Sequence, residues 1–421
     1  MLRQFLCVLT IALFSSPILL SADWLTFRGA DGNGKSPDTG LLKQWSRGGP
    51  ELLWQVNFIG TGYSGVAISG DRIYTNGNVT RNGQELTMVF CLDKDGNKIW
   101  EKDNGPAHTG SYPATRATPT IDGDFVYDVS PLGEVACFDA KTGDKKWNRN
   151  ILKDYSAPQP HWFLGHSAII DGDNLITLVG GAKTIAVALN KRTGEMVWEA
   201  APATGNAPTA YTTPYMFEFE GTRVITVMSN TSVIGLDPAT GKTFFTIPWT
   251  NQRNVHCTMP IYHHGHLFMT TGYDGGAAKL FKLAKNADGT ITPTQVWTEP
   301  RFNNHHGGVV LVGDHVYGTN DAGSWCSINC MTGEVGYIFR GNSIGAGKGA
   351  VHYADGLLYG LTERDRTVLL IRPEPKEFVL VSSFELPNEA SGNSWAHPVV
   401  LGGRMYLRHA QYLYCYDVKG E

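Results

Sequence analysis

Apolar residues in this chain fall in short runs that alternate with polar positions, and turns carrying glycine cut the runs apart. One pattern recurs as strand, turn, strand. Its turns stand at Gly70-Asp71, Gly123-Asp124, Gly172-Asp173, Gly221, Gly265, Gly313-Asp314, Gly356 and Gly402, about 47 residues apart on average. A second phrase follows each: a small residue, an apolar one, Asp or Asn, turn residues with Thr-Gly, then an aromatic. It reads Cys91-Leu92-Asp93-Lys94-Asp95-Gly96 before Trp100, and Cys137-Phe138-Asp139-Ala140-Lys141-Thr142-Gly143 before Trp147. Ala188-Leu189-Asn190-Lys191-Arg192-Thr193-Gly194 precedes Trp198, and Gly235-Leu236-Asp237-Pro238-Ala239-Thr240-Gly241 precedes Trp249. Weaker copies end in Tyr337, after Thr332-Gly333, and in Trp297, after Asp288-Gly289.

Two hairpins per unit at this period predict an all-β fold, a single eight-bladed β-propeller of four-stranded antiparallel blades. A solenoid would need a shorter repeat with helical segments, and no helical pattern is present. In each turn Asp or Asn accepts bonds from the backbone two residues on, and Gly supplies the positive φ. The aromatic then falls on the outermost strand, where its ring can fill the gap between blades. Trp54, Trp100, Trp147, Trp198, Trp249 and Trp297 are read as equivalent docking residues, with Tyr337 and Phe384 near the remaining two places.

The ends of the chain complement one another. The final phrase, Leu413-Tyr414-Cys415-Tyr416-Asp417, has no outer strand after it, while residues 51–58 form a strand containing Trp54 that belongs to no blade. Pairing this N-terminal strand with the C-terminal blade closes the ring and removes its free edges.

Composition narrows the class. Glycine at 49 of 421 residues and 11 tryptophans suit many tight turns between half-buried strands, and 18% charged residues against a usual figure of about 25% argue against disorder. A net charge of −4 supplies no phosphate-binding footprint, so nucleic acid is not an expected partner. Met1-Leu2-Arg3, the apolar run 5–14 and Leu20-Ser21-Ala22 read as a signal peptide over residues 1–22. Residues 23–50 are then an N-terminal extension and 51–421 the propeller. No later stretch approaches the roughly 20 apolar residues of a spanning helix. The expectation is an exported monomer, periplasmic or extracellular, that does not span a membrane. Six cysteines beyond Cys7 raise a disulfide framework, but Cys91, Cys137 and Cys415 share a repeat position with Ala188 and Gly235, which reads as small and buried.

This phrase, carried with its closing strand, resembles the pyrroloquinoline-quinone-like (PQQ-like) β-propeller repeat, also called the tryptophan-docking repeat. The segment Trp24-Leu25-Thr26-Phe27-Arg28-Gly29-Ala30-Asp31-Gly32-Asn33-Gly34 looks like the mature N-terminus of secreted bacterial members. The resemblance implies the fold more than the activity, because the same repeat builds quinoprotein dehydrogenases and a non-catalytic propeller lipoprotein of the outer-membrane barrel-assembly machine. The dehydrogenases carry an adjacent cysteine pair, a calcium site of Glu, Asn and Asp, and a catalytic Asp. This sequence has no adjacent cysteines, and no catalytic or cofactor residue carries over.

Propellers bind ligands where loops lead into the innermost strands. The residues there are Tyr63 with Ser64, Arg116, His166, Tyr211 with Thr212, His256, His305, His306, Lys348 with His352, Trp395 and His397. They form an expected ligand-binding funnel rich in imidazole, suited to a metal, an anion or a quinone-like ligand such as PQQ, although wet channel mouths collect polar residues without a ligand. No cofactor is assured and the metal is unknown. His263, His264 and His266 read as an exposed hairpin turn whose rings alternate to different sides. Gly345-Ala346-Gly347-Lys348-Gly349 lacks the spacing and the Ser or Thr of a phosphate loop. Asp31-Gly32-Asn33-Gly34 has Leu42 where a calcium loop needs Glu, and Gly62-Tyr63-Ser64-Gly65-Val66 lacks the second glycine of a nucleophile elbow. Glycoside hydrolysis needs two carboxylates roughly 5–10 Å apart, and these strand starts offer imidazole, amide, aromatic and basic groups instead. The functional expectation is a non-catalytic scaffold for a small molecule or a protein partner. The alternative is a quinone- or metal-dependent oxidoreductase with its site in the funnel.

Overall fold

Alternating strands with one apolar face must stack their faces against neighbours, and here eight sheets do so in a ring. A computed structural model describes residues 23–205, 207–341, 347–387 and 390–420; the signal-peptide reading concerns residues 1–22, outside the described residues. Eight four-stranded antiparallel sheets make up an eight-bladed β-propeller, and among the described residues one short helix, Ile151–Asp154, interrupts them. Blade 1 comprises Ala67–Ser69, Arg72–Arg81, Gln84–Asp93 and Lys98–Pro106. The first strands of blades 2 to 7 begin at Thr120, Ile169, Tyr215, Ile261, Val309 and Gly349. Blade 8 is made of Val399–Leu401, Arg404–His409 and Tyr412–Asp417, and Glu51–Val56 completes it, with Trp54 opposite Cys415. The ring closes as the orphan strand predicted.

The docking residues show why the phrase repeats. Each tryptophan ring lies over the turn glycine of the next blade while its Nε1 donates to a carbonyl of that turn. Trp54 bonds Lys94 O at 2.9 Å, Trp100 bonds Ala140 O at 3.0 Å, Trp147 bonds Lys191 O at 3.0 Å, Trp198 bonds Pro238 O at 3.0 Å and Trp297 bonds Met331 O at 3.2 Å. A side chain on Gly194 would come within 2.8 Å of the Trp147 ring, so the glycine makes room for the aromatic as well as supplying φ +75°.

Trp249 is the exception and corrects the expected equivalence. It follows the outer strand Thr243–Pro248, its Nε1 is buried without a partner, and Phe245 holds the register place opposite Gly235. The turn-to-aromatic spacing explains this. Trp100, Trp147, Trp198 and Tyr337 each stand four residues after the turn glycine, and so does Phe245. Trp297 stands farther from Gly289 because its hairpin is longer, yet it pairs with Leu280 at the expected bulge. In blade 7 the register place falls to Ser382, opposite Leu370, and Phe384 lies two residues on, packed against Trp45 from the N-terminal extension.

That extension plugs one end of the central channel. Trp24 pairs with Ile68 of blade 1, Leu25 O accepts from Ile121 N of blade 2, and Phe27 packs on the core shared by blades 4 and 5. Arg28, fully buried, donates to the carbonyls of Gly32, Asn33 and Val309 and sits 3.2 Å from His397 Nδ1. Gly34 and Ser36 then bond Tyr353 of blade 7, and Leu42 bonds Val418 beside blade 8. Cys91, Cys137, Cys326, Cys330 and Cys415 are free and buried, and Cys257 is free and half-buried. Burial pushes the Cys137 and Cys415 thiols up to about 12, in keeping with small apolar filling of the blades.

Candidate functional site

With one end plugged, the channel becomes a blind cup of about 610 Å³ that opens on the side of the strand starts. Phe27 and His397 lie at its floor, their rings 5.0 Å apart. Eight of the thirteen expected funnel residues line it, Tyr63, Arg116, Tyr211, His305, His306, Lys348, Trp395 and His397, while Ser64 and Thr212 are buried outside the lining. His166 and His256 do not reach it. His166 Nε2 accepts from Leu178 N and bonds Thr177, and His256 bonds Thr271 and Asn230 O, so both are fixed behind the wall. His352 is likewise buried, edge-on to Trp24.

The wall has two characters. One side is aromatic. Trp395 meets Tyr63 at 4.4 Å and Tyr112 at 5.1 Å between ring centroids, Tyr112 meets Trp162 at 5.8 Å, and Tyr211 Oη accepts from Trp162 N. The other side holds paired charges. Asp321 forms an ion pair with Lys348, lies 3.3 Å from His305 Nδ1, accepts from Tyr273 N at 2.9 Å, and is held well below the usual carboxylate range despite its burial. Burial alone would raise the Glu363 carboxyl. His306 at 3.2 Å, the Trp395 Nε1 bond at 2.8 Å and the Lys348 charge overcome it and hold the group at about 2. His306 itself is pushed down by burial against the pull of Glu363, so the pair is carboxylate and neutral imidazole at pH 7.

Arg116 stands apart from these pairs. Its guanidinium donates only to the carbonyls of Tyr112 and Ala114 and lies 5.9 Å above the Tyr63 ring. It faces the cup with no carboxylate partner among the described residues, a cation that a ligand's anionic group could satisfy.

Sequence reasoning missed the cup's acids and part of its aromatic side: Tyr112, Trp162, Tyr273, Cys257, Asp321, Glu363, Arg364 and Asp365 also line it. The premise that this face lacks carboxylates is therefore corrected. Asp321, Glu363 and Tyr273 sit in the loops joining the second and third strands of their blades, which open on the same face as the first-strand starts. Reading those loops beside the strand starts would have found them.

On the opposite face, His263 and His264 do not diverge as alternation predicted. His264 is a turn residue with φ +46°, and that conformation brings the two rings to 4.0 Å. His266 turns back to the His264 carbonyl.

Three comparisons bear on this geometry. The family model described as outer membrane protein assembly factor BamB matches residues 36–159 and 166–338, more than two thirds of the chain. A curated relative from Burkholderia pseudomallei (strain K96243), outer membrane protein assembly factor BamB, is 29% identical over 129 residues, which spans 30% of this chain and 30% of the relative's length. Among solved structures, BamB from Moraxella catarrhalis superposes with a TM-score of 0.61 at 13% identity, covering 87% of this chain and 99% of that one. Quinohemoprotein alcohol dehydrogenase from Comamonas testosteroni superposes with a TM-score of 0.62 at 11% identity, covering 95% of this chain and 81% of that one. At such identities the structural likeness concerns the fold alone.

Proposed function

The chain belongs to the family described as outer membrane protein assembly factor BamB, and on that premise we propose that it is an exported, non-catalytic scaffold whose cup receives a partner's side chains or a small ligand. The observation that carries this reading is the aromatic side of the cup, with Arg116 unpaired beside it. Aromatic rings and an arginine are the groups that dominate recognition surfaces, because they bury large areas at low entropic cost. The partner in this reading is a component of outer-membrane protein assembly, by analogy with the printed role of the relatives. Export rests on the signal-like residues 1–22, and N-terminal sequencing of the secreted protein is expected to begin at Asp23.

The oxidoreductase alternative asks the cup to hold a quinone beside a divalent cation. The donor set does not fit it: Asp321 and Glu363 are already committed to Lys348, His305, His306 and the Trp395 indole. A cation would have to displace those partners before it found a ligand. The test replaces Tyr112, half-exposed on the cup's aromatic side, with a photo-crosslinking residue in the native host. Crosslinks to an outer-membrane assembly component at Tyr112, and none at Met196 on the outer strand of blade 3, are expected. Alcohol oxidation by purified protein supplied with PQQ, Ca²⁺ and a dye acceptor would overturn the scaffold reading.

A further inference from the structure

At two seams between neighbouring blades, on the face opposite the cup, an acid of one blade's inner hairpin meets a basic group of the next blade. Lys191 of blade 3 pairs with Asp122 of blade 2 at 2.6 Å, and Arg223 of blade 4 pairs with Asp171 of blade 3. The seam between blades 5 and 6 departs from this. There Asp314, in the inner turn of blade 6, meets two imidazoles of blade 5, His263 and His264. An imidazole differs from Lys or Arg in offering a lone pair and in being uncharged above about pH 6.5.

The geometry is that of a partly assembled transition-metal site. One ligand atom from each of His263, His264 and Asp314 lies within 4.8 Å of the other two. In a tetrahedral zinc site with bonds of about 2.0–2.1 Å, ligand atoms stand roughly 3.3 Å apart. His263 Nε2 and Asp314 Oδ1 already sit at 3.2 Å. His263 is held against Asp314 with only 16% of its side chain exposed, while His264 is solvent-facing, so its side chain is free to turn toward the other two. The backbone has already made the larger adjustment. His264 takes the first place of a type I′ turn, at φ +46° before Gly265 at +75°, and this directs its ring onto that of its neighbour. Blades 4 and 7 carry Glu220 and Asp355 at the same turn place, so histidine is not demanded by the turn itself.

From this we propose that His263, His264 and Asp314 form a surface site for a borderline divalent metal, Zn²⁺ in the first instance. Two imidazoles and a carboxylate suit zinc by ligand type, and three protein ligands leave a fourth position for water. Bound there, the ion supplies the positive charge that Lys191 and Arg223 provide at the seams between blades 2 and 3 and between blades 3 and 4, and it clips blade 5 to blade 6. The site lies away from the cup and stands independently of the function proposed for it.

The experiment is calorimetric titration of untagged wild-type protein with ZnCl₂ at pH 7.5, beside thermal melting with and without the metal. One saturable site and a melting temperature raised by Zn²⁺ are expected. His264→Asn keeps a residue that tolerates positive φ, so its metal-free melting should match wild type while its affinity falls at least roughly tenfold, as it should in Asp314→Asn. His306→Gln, in the cup, should bind Zn²⁺ as wild type does. A wild-type protein with no saturable Zn²⁺ binding, or with a melting temperature indifferent to Zn²⁺, would overturn the proposal. So would wild-type affinity in a His264→Asn, Asp314→Asn double variant.

Discussion

A tryptophan on the outer strand is worth what its two contacts are worth, the ring over a glycine and the indole nitrogen on a carbonyl. Trp198→Phe keeps most of the ring but strands the Pro238 carbonyl, and a loss of about 1–3 kcal/mol in urea unfolding is expected. Trp249→Phe removes a buried donor that has no partner, so its cost should be clearly smaller. Equal costs at the two sites would contradict the docking assignment. Histidines buried in the wall set a pH dependence. His166 is held at about 3 by burial, and its Nε2 accepts a backbone N–H, which only the neutral ring can do. The folded value is depressed, so the stability it supports is full above the unfolded pKa of about 6.5 and drains away as pH falls toward 3. His166→Gln should therefore lose less stability than wild type between pH 7 and pH 5, the difference reaching about 2 kcal/mol at pH 5. These assignments were partly legible. The four-residue spacing from turn glycine to aromatic marks Phe245 in the sequence, whereas nothing in the chain around His166 distinguishes a ring behind the wall from one in the cup.

Among the elements, the closing strand and the N-terminal extension do unlike work. Glu51–Val56 supplies the fourth strand of blade 8, and without it Tyr412–Asp417 becomes an open edge. Replacing residues 51–56 with Gly and Ser of equal length keeps the extension tethered but cannot refill the seam around Trp54. Fluorescence and circular dichroism should then no longer report one cooperative unfolding transition. The closing strand was readable because an unmatched half-phrase stood at each end of the chain. The course of residues 23–50 across the channel was not. Its contacts with blades 1, 2, 6, 7 and 8 are single bridges and side-chain bonds, which leave no periodic mark.

For the whole molecule, the cup provides its own probe. Cys257 lines it as a half-buried thiol, while the other described cysteines are buried in the blades. Burial pushes Cys257 up to about 12 despite the Arg116 and Lys348 charges, so maleimide should label it slowly at pH 7.5, faster as pH rises, and ahead of the other described cysteines. Peptide mass spectrometry after native labelling checks this, and a cup ligand should protect the site. Preferential labelling of Cys137 or Cys415 instead would contradict the buried packing of the blades. What the sequence determined by itself is the repeated unit, its number and its closure, because a period of two within strands and glycine turns between them act locally and write themselves into the chain. Where the loops of separate blades converge was decided only by the tertiary structure. The aromatic side of the cup, the Asp321 and Glu363 pairs, the plugged floor and the His263, His264 and Asp314 cluster join residues brought together by ring closure and blade packing, and no local pattern encodes that meeting.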